Sequence, residues 1–198
     1  MRPQHTIVKN VLTPDECDEI IETYKPWLKQ GEVGGGPEAA KKIRKSSVAF
    51  VTRADPLCYP LVKKAQDVVH DVTRTVHQTW IKTFQFAQVT EYKPFGFYKV
   101  HQDVAHQNSM RTVSAVLELS NPDDYYGGGT KTYINGLKGQ KHRLEQGSIL
   151  IFPSMCLHEA LPVWYGTRYS LVIWGEERLA EDLDPTKNKL WARKQRTK

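Results

Sequence analysis

The sequence predicts a mainly β fold with flanking α-helices, an α+β arrangement in which N-terminal helices buttress a double-stranded β-helix, or jelly roll. Two helical patterns precede residue 82, and from there to about residue 177 the chain consists of short β-rich runs separated by turn residues. Eight such runs within about a hundred residues are typical of a jelly roll. The length of 198 residues suits one domain with a core of useful size.

We therefore expect a single domain over residues 1–198, with N-terminal helical support (1–81), a β core (82–177) and a basic C-terminal tail (178–198). The net charge is +6, and much of it lies in the last twelve residues, "KNKLWARKQRTK". Such a tail can bind nucleic acid or an acidic partner, although a solvated chain end explains it equally well.

Cysteine content and hydropathy bear on the compartment. The three cysteines have no CxxC spacing, which argues against a disulfide framework or a zinc-thiolate site. The N-terminus lacks the apolar core of a signal peptide, and no apolar run approaches the roughly 20 residues of a membrane span. We expect a cytoplasmic protein with no membrane contact.

The N-terminal part begins with a predicted strand, "HTIVKNVL", followed by a helix. Thr13 as N-cap, Pro14 in the first turn and Glu16 completing a capping box mark the helix start. A second helix is predicted within residues 56–80, and its expected buried side consists of Leu61, Val62, Ala65, Val68, Val69 and Val72.

Between these helices, the glycine-rich segment 31–42, "GEVGGGPEAAKK", predicts a loop. We expect it either to close as a lid over a substrate or to be a passive surface connection. The strand "IRKSSVAFV" follows it.

Eight strands are predicted in the β core. They are "TFQFAQVTEY", "FYKVHQDV", "TVSAVLEL", "TKTYIN", "KHRLEQ", "SILIFP", "EALPVWY" and "RYSLVIW". The segment "DDYYGGGT" (123–130) lacks the lysine and helix of a phosphate-binding loop, so we interpret it as a connecting turn.

One predicted strand carries a candidate metal site. Residues i and i+2 of a strand share a face, so His101 and Asp103 point to the same side. With one further histidine, they would form the 2-His-1-carboxylate set of non-haem Fe(II) oxygenases. His158, at the edge of a later strand, is the candidate third ligand. His106 and His142 lie in polar or charged segments and are interpreted as surface residues.

The last predicted strand carries a candidate anion site. Arg168, Ser170, Val172 and Trp174 share one face, and apolar residues occupy the other. An inward arginine requires an anion, and its planar fork suits a carboxylate. That carboxylate is either a structural Asp or Glu or part of a ligand, and the position just after His158 favours the ligand.

Four segments together resemble one known family: "YKVHQD", "RTVSAVLELSNPDDYYGGGTK", "GSILIFPSMCLHEALPV" and "GTRYSLVIW". They are similar to the Fe(II)/2-oxoglutarate-dependent dioxygenases, specifically the prolyl 4-hydroxylase-like, PKHD-type group, over roughly residues 84–177. The resemblance implies that His101, Asp103 and His158 hold Fe(II) and that Arg168 binds the distal carboxylate of 2-oxoglutarate. It also suggests Tyr92 and Ser170 as further cosubstrate contacts, although Tyr92 is also explained by packing in a strand.

The same resemblance implies the activity. Such enzymes couple the decarboxylation of 2-oxoglutarate by O2 to hydroxylation of an unactivated C–H bond, with ascorbate as a reductant in some members. The expected substrate is a prolyl residue in a peptide or protein, as in procollagen-proline-type 4-hydroxylation.

Three alternatives remain open. One is hydroxylation of a free amino acid or another small molecule. A second is nucleic-acid demethylation, which the basic tail would suit, but Trp174 stands where AlkB-like demethylases carry a second arginine. The third is a binding module without activity, which the complete ligand set disfavours.

Overall fold

The computed structural model describes residues 5–31, 42–104, 111–134 and 138–177. The helices are α1 (Pro14–Tyr24) and α2 (Cys58–Val72). The N-terminal strands are β1 (Thr6–Val8), β2 (Lys29–Gln30), β3 (Arg44–Lys45) and β4 (Ser47–Val51). The remaining strands are β5 (Thr83–Phe84), β6 (Ala87–Tyr92), β7 (Phe97–His101), β8 (Arg111–Glu118), β9 (Tyr125–Gly127), β10 (Thr130–Thr132), β11 (Gln140–His142), β12 (Ile149–Pro153), β13 (His158–Ala160), β14 (Val163–Gly166) and β15 (Arg168–Glu176).

The predicted start of α1 is confirmed. The Thr13 hydroxyl accepts a hydrogen bond from the Glu16 N–H at 3.2 Å, and the Glu16 carboxylate accepts one from the Thr13 N–H at 2.8 Å. Pro14 occupies the first turn, where its missing N–H costs nothing. The cap therefore fixes where the helix begins.

Helix α2 presents the predicted apolar side to the protein interior. Val62, Ala65 and Val69 are buried, and the other three predicted residues are partly buried against the same core. No helix in the described ranges is long and apolar enough to cross a membrane.

Two main sheets form the jelly roll. The larger sheet has eight strands in the order β1-β12-β8-β15-β6-β4-β2, with β5 pairing β15. The smaller sheet has five strands in the order β11-β10-β13-β7-β3, and β14 pairs β9 separately. The predicted double-stranded β-helix is confirmed.

The main core lies between the helices and the outer face of the larger sheet. Residues of α1 and α2 pack there with alternate residues of β8 and β15, including Leu117, Leu171 and Ile173. A smaller apolar cluster consists of Val116, Leu144, Leu150 and Phe152. Because side chains alternate along a strand, the inner faces of β8 and β15 remain available for polar groups.

Three predicted strands are each divided in two. "IRKSSVAFV" is interrupted at Ser46, so β3 joins the smaller sheet and β4 the larger one. "EALPVWY" is interrupted at Leu161 and Pro162, and "TFQFAQVTEY" between β5 and β6. The pattern of apolar residues runs across each interruption, so alternation alone does not predict where these strands divide.

The segment 123–130 is partly the expected turn. Gly127, Gly128 and Gly129 all have positive φ (85°, 59° and 91°), which glycine adopts without strain. The unpredicted strand β9 precedes this turn. Residues 32–41 of the predicted lid, His106 and the tail from 178 lie outside the described residues.

Candidate metal centre

His101 and His158 come from neighbouring strands of the smaller sheet. His101 is the last residue of β7 and His158 the first of β13, and the antiparallel register places them directly opposite each other. Strand pairing therefore brings together two side chains that are 57 positions apart in the sequence.

Asp103 reaches the same place by a different route from the one predicted. Strand β7 ends at His101, so the shared strand face expected for the two residues is wrong. Asp103 instead lies in a bend, where its N–H donates to the Ser154 carbonyl at 3.0 Å. The bend after β7, rather than the alternation of side chains within the strand, directs the Asp103 carboxylate toward the two histidines.

The three side chains converge on one point. The Nε2 atom of His101 lies 3.6 Å from Asp103 Oδ1, and the Nε2 atom of His158 lies 3.5 Å from Asp103 Oδ2. The candidate ligand atoms all lie within 4.8 Å of one another. In the part of the chain that the structure describes, this is the one group of three or more His, Cys, Asp or Glu side chains arranged in this way.

Backbone carbonyls fix the orientation of both imidazoles. His101 Nδ1 lies 2.7 Å from the Lys99 carbonyl oxygen, and His158 Nδ1 lies 2.9 Å from the Cys156 carbonyl oxygen. A carbonyl only accepts, so Nδ1 carries the proton in each ring. The lone pair of each Nε2 then faces the centre, as metal ligation by neutral histidine requires.

The carboxylate of Asp103 is held in its charged form. Burial alone would raise its pKa, but the adjacent His101 and His158 and the hydrogen bond from the Ser114 hydroxyl together keep the pKa below its ordinary value. Ser114 lies 2.7 Å from Asp103 Oδ2 and 2.9 Å from the Ser154 hydroxyl. Two neutral imidazoles and one buried carboxylate are a donor set that fits Fe(II).

Aromatic rings support the two histidines. Tyr98 stacks on His101 with ring centroids 3.6 Å apart, and Phe152 meets the His158 ring edgewise at 4.7 Å. Burial lowers the pKa of His158, although Asp103 opposes this effect. The rings are thus packed in place and His158 favours its neutral form.

A cavity of about 170 Å³ extends from these ligands into the jelly roll. Tyr92, Arg168, Ser170 and Trp174 line it together with the three candidate ligands. Ser170 is 1% exposed and lies two residues after Arg168 in β15, so both side chains are on the inner face of this strand. The structure therefore brings all the predicted site residues around one space.

Arg168 has a structural partner as well as a cavity position. Its guanidinium is 2% exposed and binds Glu118 Oε2 through Nε at 3.0 Å and through Nη2 at 2.9 Å. The alternative of an arginine paired with an internal acid is thus present in the structure. Because both nitrogens bind one oxygen, Nη1 is not used by this pair.

Tyr92 fits both interpretations given to it. It packs with Tyr125 and Val163, and its ring centre lies 5.6 Å from Arg168 Cζ. Burial raises the pKa of its hydroxyl, so the group stays protonated and able to donate.

The surface position predicted for His142 is wrong. The residue is 4% exposed, its Nε2 lies 2.9 Å from the Thr132 hydroxyl, and its ring contacts His5 at 4.7 Å. Burial lowers its pKa to about 4, so His142 is a neutral interior residue. Its charged neighbours Lys141 and Arg143 are exposed residues, as the alternation of side chains around β11 requires.

Sequence reasoning missed Ser114, Glu118 and Arg111. The first two share the inner face of β8 with Val116, so the period-two pattern applied to "TVSAVLEL" could have found them. Arg111 lines the cavity, binds the Gln85 side-chain oxygen at 2.6 and 2.8 Å, and lies 4.1 Å from the Trp174 ring centre. No pattern in the sequence singled it out.

Comparisons with known proteins agree with this geometry. The model of the 2OG-Fe(II) oxygenase superfamily matches residues 87–176, which contain every candidate site residue. The PKHD-type hydroxylase of Idiomarina loihiensis is 36% identical over 175 residues, covering 84% of this chain and 75% of that protein. The chain therefore belongs to the 2OG-Fe(II) oxygenase superfamily and, within it, to the PKHD-type hydroxylases.

Solved structures show the same fold at low sequence identity. A Pseudomonas putida prolyl-4-hydroxylase superposes with a TM-score of 0.72 at 20% identity, covering 89% of this chain and 94% of that one. A Trichoplax adhaerens prolyl hydroxylase, solved with a hypoxia inducible factor peptide fragment, gives 0.70 at 19% identity, covering 88% and 84%. The cofactor class of the family is Fe(II), 2-oxoglutarate and O2.

Proposed function

We propose that this protein hydroxylates a prolyl residue within a peptide or protein. In this family, the bound iron supplies the oxidising chemistry, in which one oxygen atom of O2 enters the substrate and the other enters succinate, with release of CO2. The observation that carries the substrate proposal is a larger outer groove that shares three lining residues with the metal-site cavity.

The outer groove has a volume of about 820 Å³ and shares Arg44, Phe50 and Gln88 with the inner cavity. Its walls include Trp27, which is 69% exposed, and Phe50, which is 52% exposed. A free amino acid needs only the inner cavity, whereas an extended peptide would also occupy the groove. Exposed aromatic rings beside an active site are typical of a surface that binds a partner.

The aromatic side of the metal-site cavity suits an apolar ring. Phe50, Tyr98 and Trp174 line it, and Arg111 covers one face of the Trp174 indole at 4.1 Å. The proline ring is apolar and its tertiary amide has no N–H, so such walls bind it without leaving a donor unsatisfied. The likeness to an enzyme solved with a peptide fragment also supports a peptide substrate.

Each site residue has a proposed role. His101, Asp103 and His158 hold Fe(II), and Arg168 binds the distal carboxylate of 2-oxoglutarate deep in the cavity. Tyr92 and Ser170, which lie beside Arg168, are further hydrogen-bond partners for the cosubstrate. These contacts place the cosubstrate, while the packed aromatic walls limit the access of water.

The test is a turnover comparison with the Fe(II)-loaded enzyme. Succinate release and substrate mass are measured for proline-containing peptides, the same peptides with alanine in place of proline, free L-proline and methylated oligonucleotides. We expect succinate release above the substrate-free rate, together with a mass gain of one oxygen atom, only with the proline peptides. Hydroxylation of free proline or demethylation of the oligonucleotide, with inert peptides, would replace this proposal by the corresponding alternative.

A groove variant separates peptide binding from the chemistry. Phe50→Ala should raise KM for the peptide while leaving substrate-independent 2-oxoglutarate decarboxylation unchanged, because Phe50 lies at the junction of cavity and groove. The exposed Trp80, which lines neither cavity, provides the matched control as Trp80→Ala. An equal KM in the Phe50→Ala and wild-type proteins would exclude the groove as the peptide site.

A further inference from the structure

Arg168 is paired with a buried carboxylate of the protein itself. Glu118 is completely buried on the inner face of β8, and its Oε2 atom receives both contacts from the arginine. The guanidinium that would bind the distal carboxylate of 2-oxoglutarate is therefore already neutralised by a carboxylate of the protein.

The second oxygen of Glu118 has no protein partner among the described residues. Glu118 Oε1 and the Tyr125 hydroxyl are both buried without a hydrogen bond of ordinary geometry, although the hydroxyl lies close enough to Glu118 to lower the pKa of its carboxyl. A buried acceptor left without a donor is costly. Protonation of Oε1 would remove the buried negative charge and create a donor at this position.

The groups that face Glu118 come from several elements. Arg168 of β15 and Arg143, just after β11, are cationic, while Tyr125 of β9, Tyr92 of β6 and Cys17 of α1 are neutral in their ordinary forms. Burial raises the pKa of the Glu118 carboxyl, and Arg168, Tyr125 and Arg143 oppose this effect. The pKa of Glu118 is raised on balance, but the contacts from Arg168 at 2.9 and 3.0 Å have the geometry of an ion pair, so Glu118 is the charged partner in the free protein.

A second carboxylate bound to Arg168 would favour the protonated form of Glu118. Two carboxylates that share one buried guanidinium repel each other, and the usual result is that one of them binds a proton. The distal carboxylate of 2-oxoglutarate would bind the same guanidinium that pairs with Glu118, because Arg168 lines the cavity and also contacts Glu118.

We propose that Glu118 takes up one proton from solvent when 2-oxoglutarate binds, so that cosubstrate affinity depends on pH through this residue. The proposal rests on the assignment of Arg168 as the carboxylate anchor. Glu118 acts through Arg168 and is a positioning residue for the cosubstrate, and no bond other than the new O–H is formed.

The sign of the effect follows from linkage. A group whose pKa rises on binding makes affinity highest at low pH and weaker as pH rises from the free-state to the bound-state pKa. Within this window, affinity falls tenfold per pH unit, and outside it affinity is flat. The cosubstrate should therefore bind most weakly at alkaline pH.

Calorimetry measures the proton directly. 2-Oxoglutarate is titrated into the anaerobic Fe(II)-loaded protein, in buffers of different ionisation enthalpy and across the pH range in which the protein stays folded. We expect an uptake approaching one proton in wild type. Glu118→Gln should show no uptake, an affinity nearly independent of pH, and tighter binding than wild type at alkaline pH.

Glu91→Gln is the matched control. Glu91 is a buried glutamate of the larger sheet that binds the Tyr169 hydroxyl at 2.9 Å and does not line the cavity, so proton uptake should match wild type. Zero uptake by wild type at every pH overturns the proposal even if Glu118→Gln does not fold. If Arg168→Gln leaves 2-oxoglutarate affinity unchanged, the assignment of Arg168 as the carboxylate anchor fails. If Arg168→Gln loses 2-oxoglutarate binding but Glu118→Gln still takes up a proton, only the inference about Glu118 fails.

Discussion

His158 stands directly opposite His101 across the β13–β7 pair, and their ring centroids are 4.2 Å apart. A slip of one residue in this register would turn one imidazole to the other face of the sheet. The smaller sheet therefore sets the distance between the two nitrogens, and the bend at Asp103 adds the carboxylate.

The first prediction concerns these ligands. His101→Ala, Asp103→Ala and His158→Ala should each abolish turnover and the binding of one Fe(II) per chain, because each removes one of three converging donors. 2-Oxoglutarate binding should depend on the metal. Iron content, succinate release and thermal unfolding of each variant are the measurements.

His70 offers the control, since it is a partly exposed histidine on α2 outside the cavity. His70→Ala should retain iron and turnover. Succinate formation at the wild-type rate in any of the three ligand variants would refute the site.

Ser114 is predicted to act on the metal through Asp103. Its hydroxyl donates to Asp103 Oδ2 at 2.7 Å, so Ser114→Ala leaves that oxygen short of one donor. Loss of such a supporting contact typically costs about 10–100-fold in metal affinity or activity. Competition with a chelator gives the Fe(II) affinity; the buried Ser148, whose hydroxyl has no partner among the described residues, supplies Ser148→Ala as control. Equal affinities for both variants would contradict this role.

The site could be predicted where local pattern sufficed. The alternation of β15 placed Arg168, Ser170 and Trp174 on one face, and the cap at Thr13 fixed the start of α1. Both depend on residues a few positions apart, so their physics is contained in a short stretch of sequence.

What escaped prediction depends on contacts between distant segments. Glu118 meets Arg168 across 50 positions because β8 pairs β15, and nothing in "TVSAVLEL" indicates that neighbour. His142 was misassigned because its charged neighbours were given more weight than the alternation that turns it inward. Asp103 shows that an i, i+2 pattern does not reveal where a strand ends.

His142 should make the fold sensitive to acid. Its pKa is about 4 in the folded protein against an ordinary value of 6.5, so the unfolded chain binds the proton more readily. Its contribution to stability is complete above pH 6.5 and is lost as pH falls toward 4, up to about 3 kcal/mol. Urea unfolding across this range should show a weaker pH dependence for His142→Gln than for wild type. A parallel slope in both proteins would assign the acid sensitivity to other groups.

Arg168→Lys tests the carboxylate anchor. Lysine keeps the positive charge beside Glu118 but lacks the planar fork, so the variant should bind 2-oxoglutarate less tightly, seen as a raised KM, while Fe(II) affinity stays nearly unchanged. Because the charge remains, stability should fall by less than the roughly 3–5 kcal/mol expected when one partner of a buried pair is removed.

The comparison variant for this test is Arg168→Gln, which leaves the buried Glu118 without its cation. Thermal unfolding should show a larger loss of stability for Arg168→Gln than for Arg168→Lys, whereas both variants should bind 2-oxoglutarate less tightly. The decisive measurement is the ratio of the two effects in Arg168→Lys: cosubstrate affinity must fall further than iron affinity. Equal loss of both would show that Arg168 is a structural ion-pair residue whose replacement distorts the whole site.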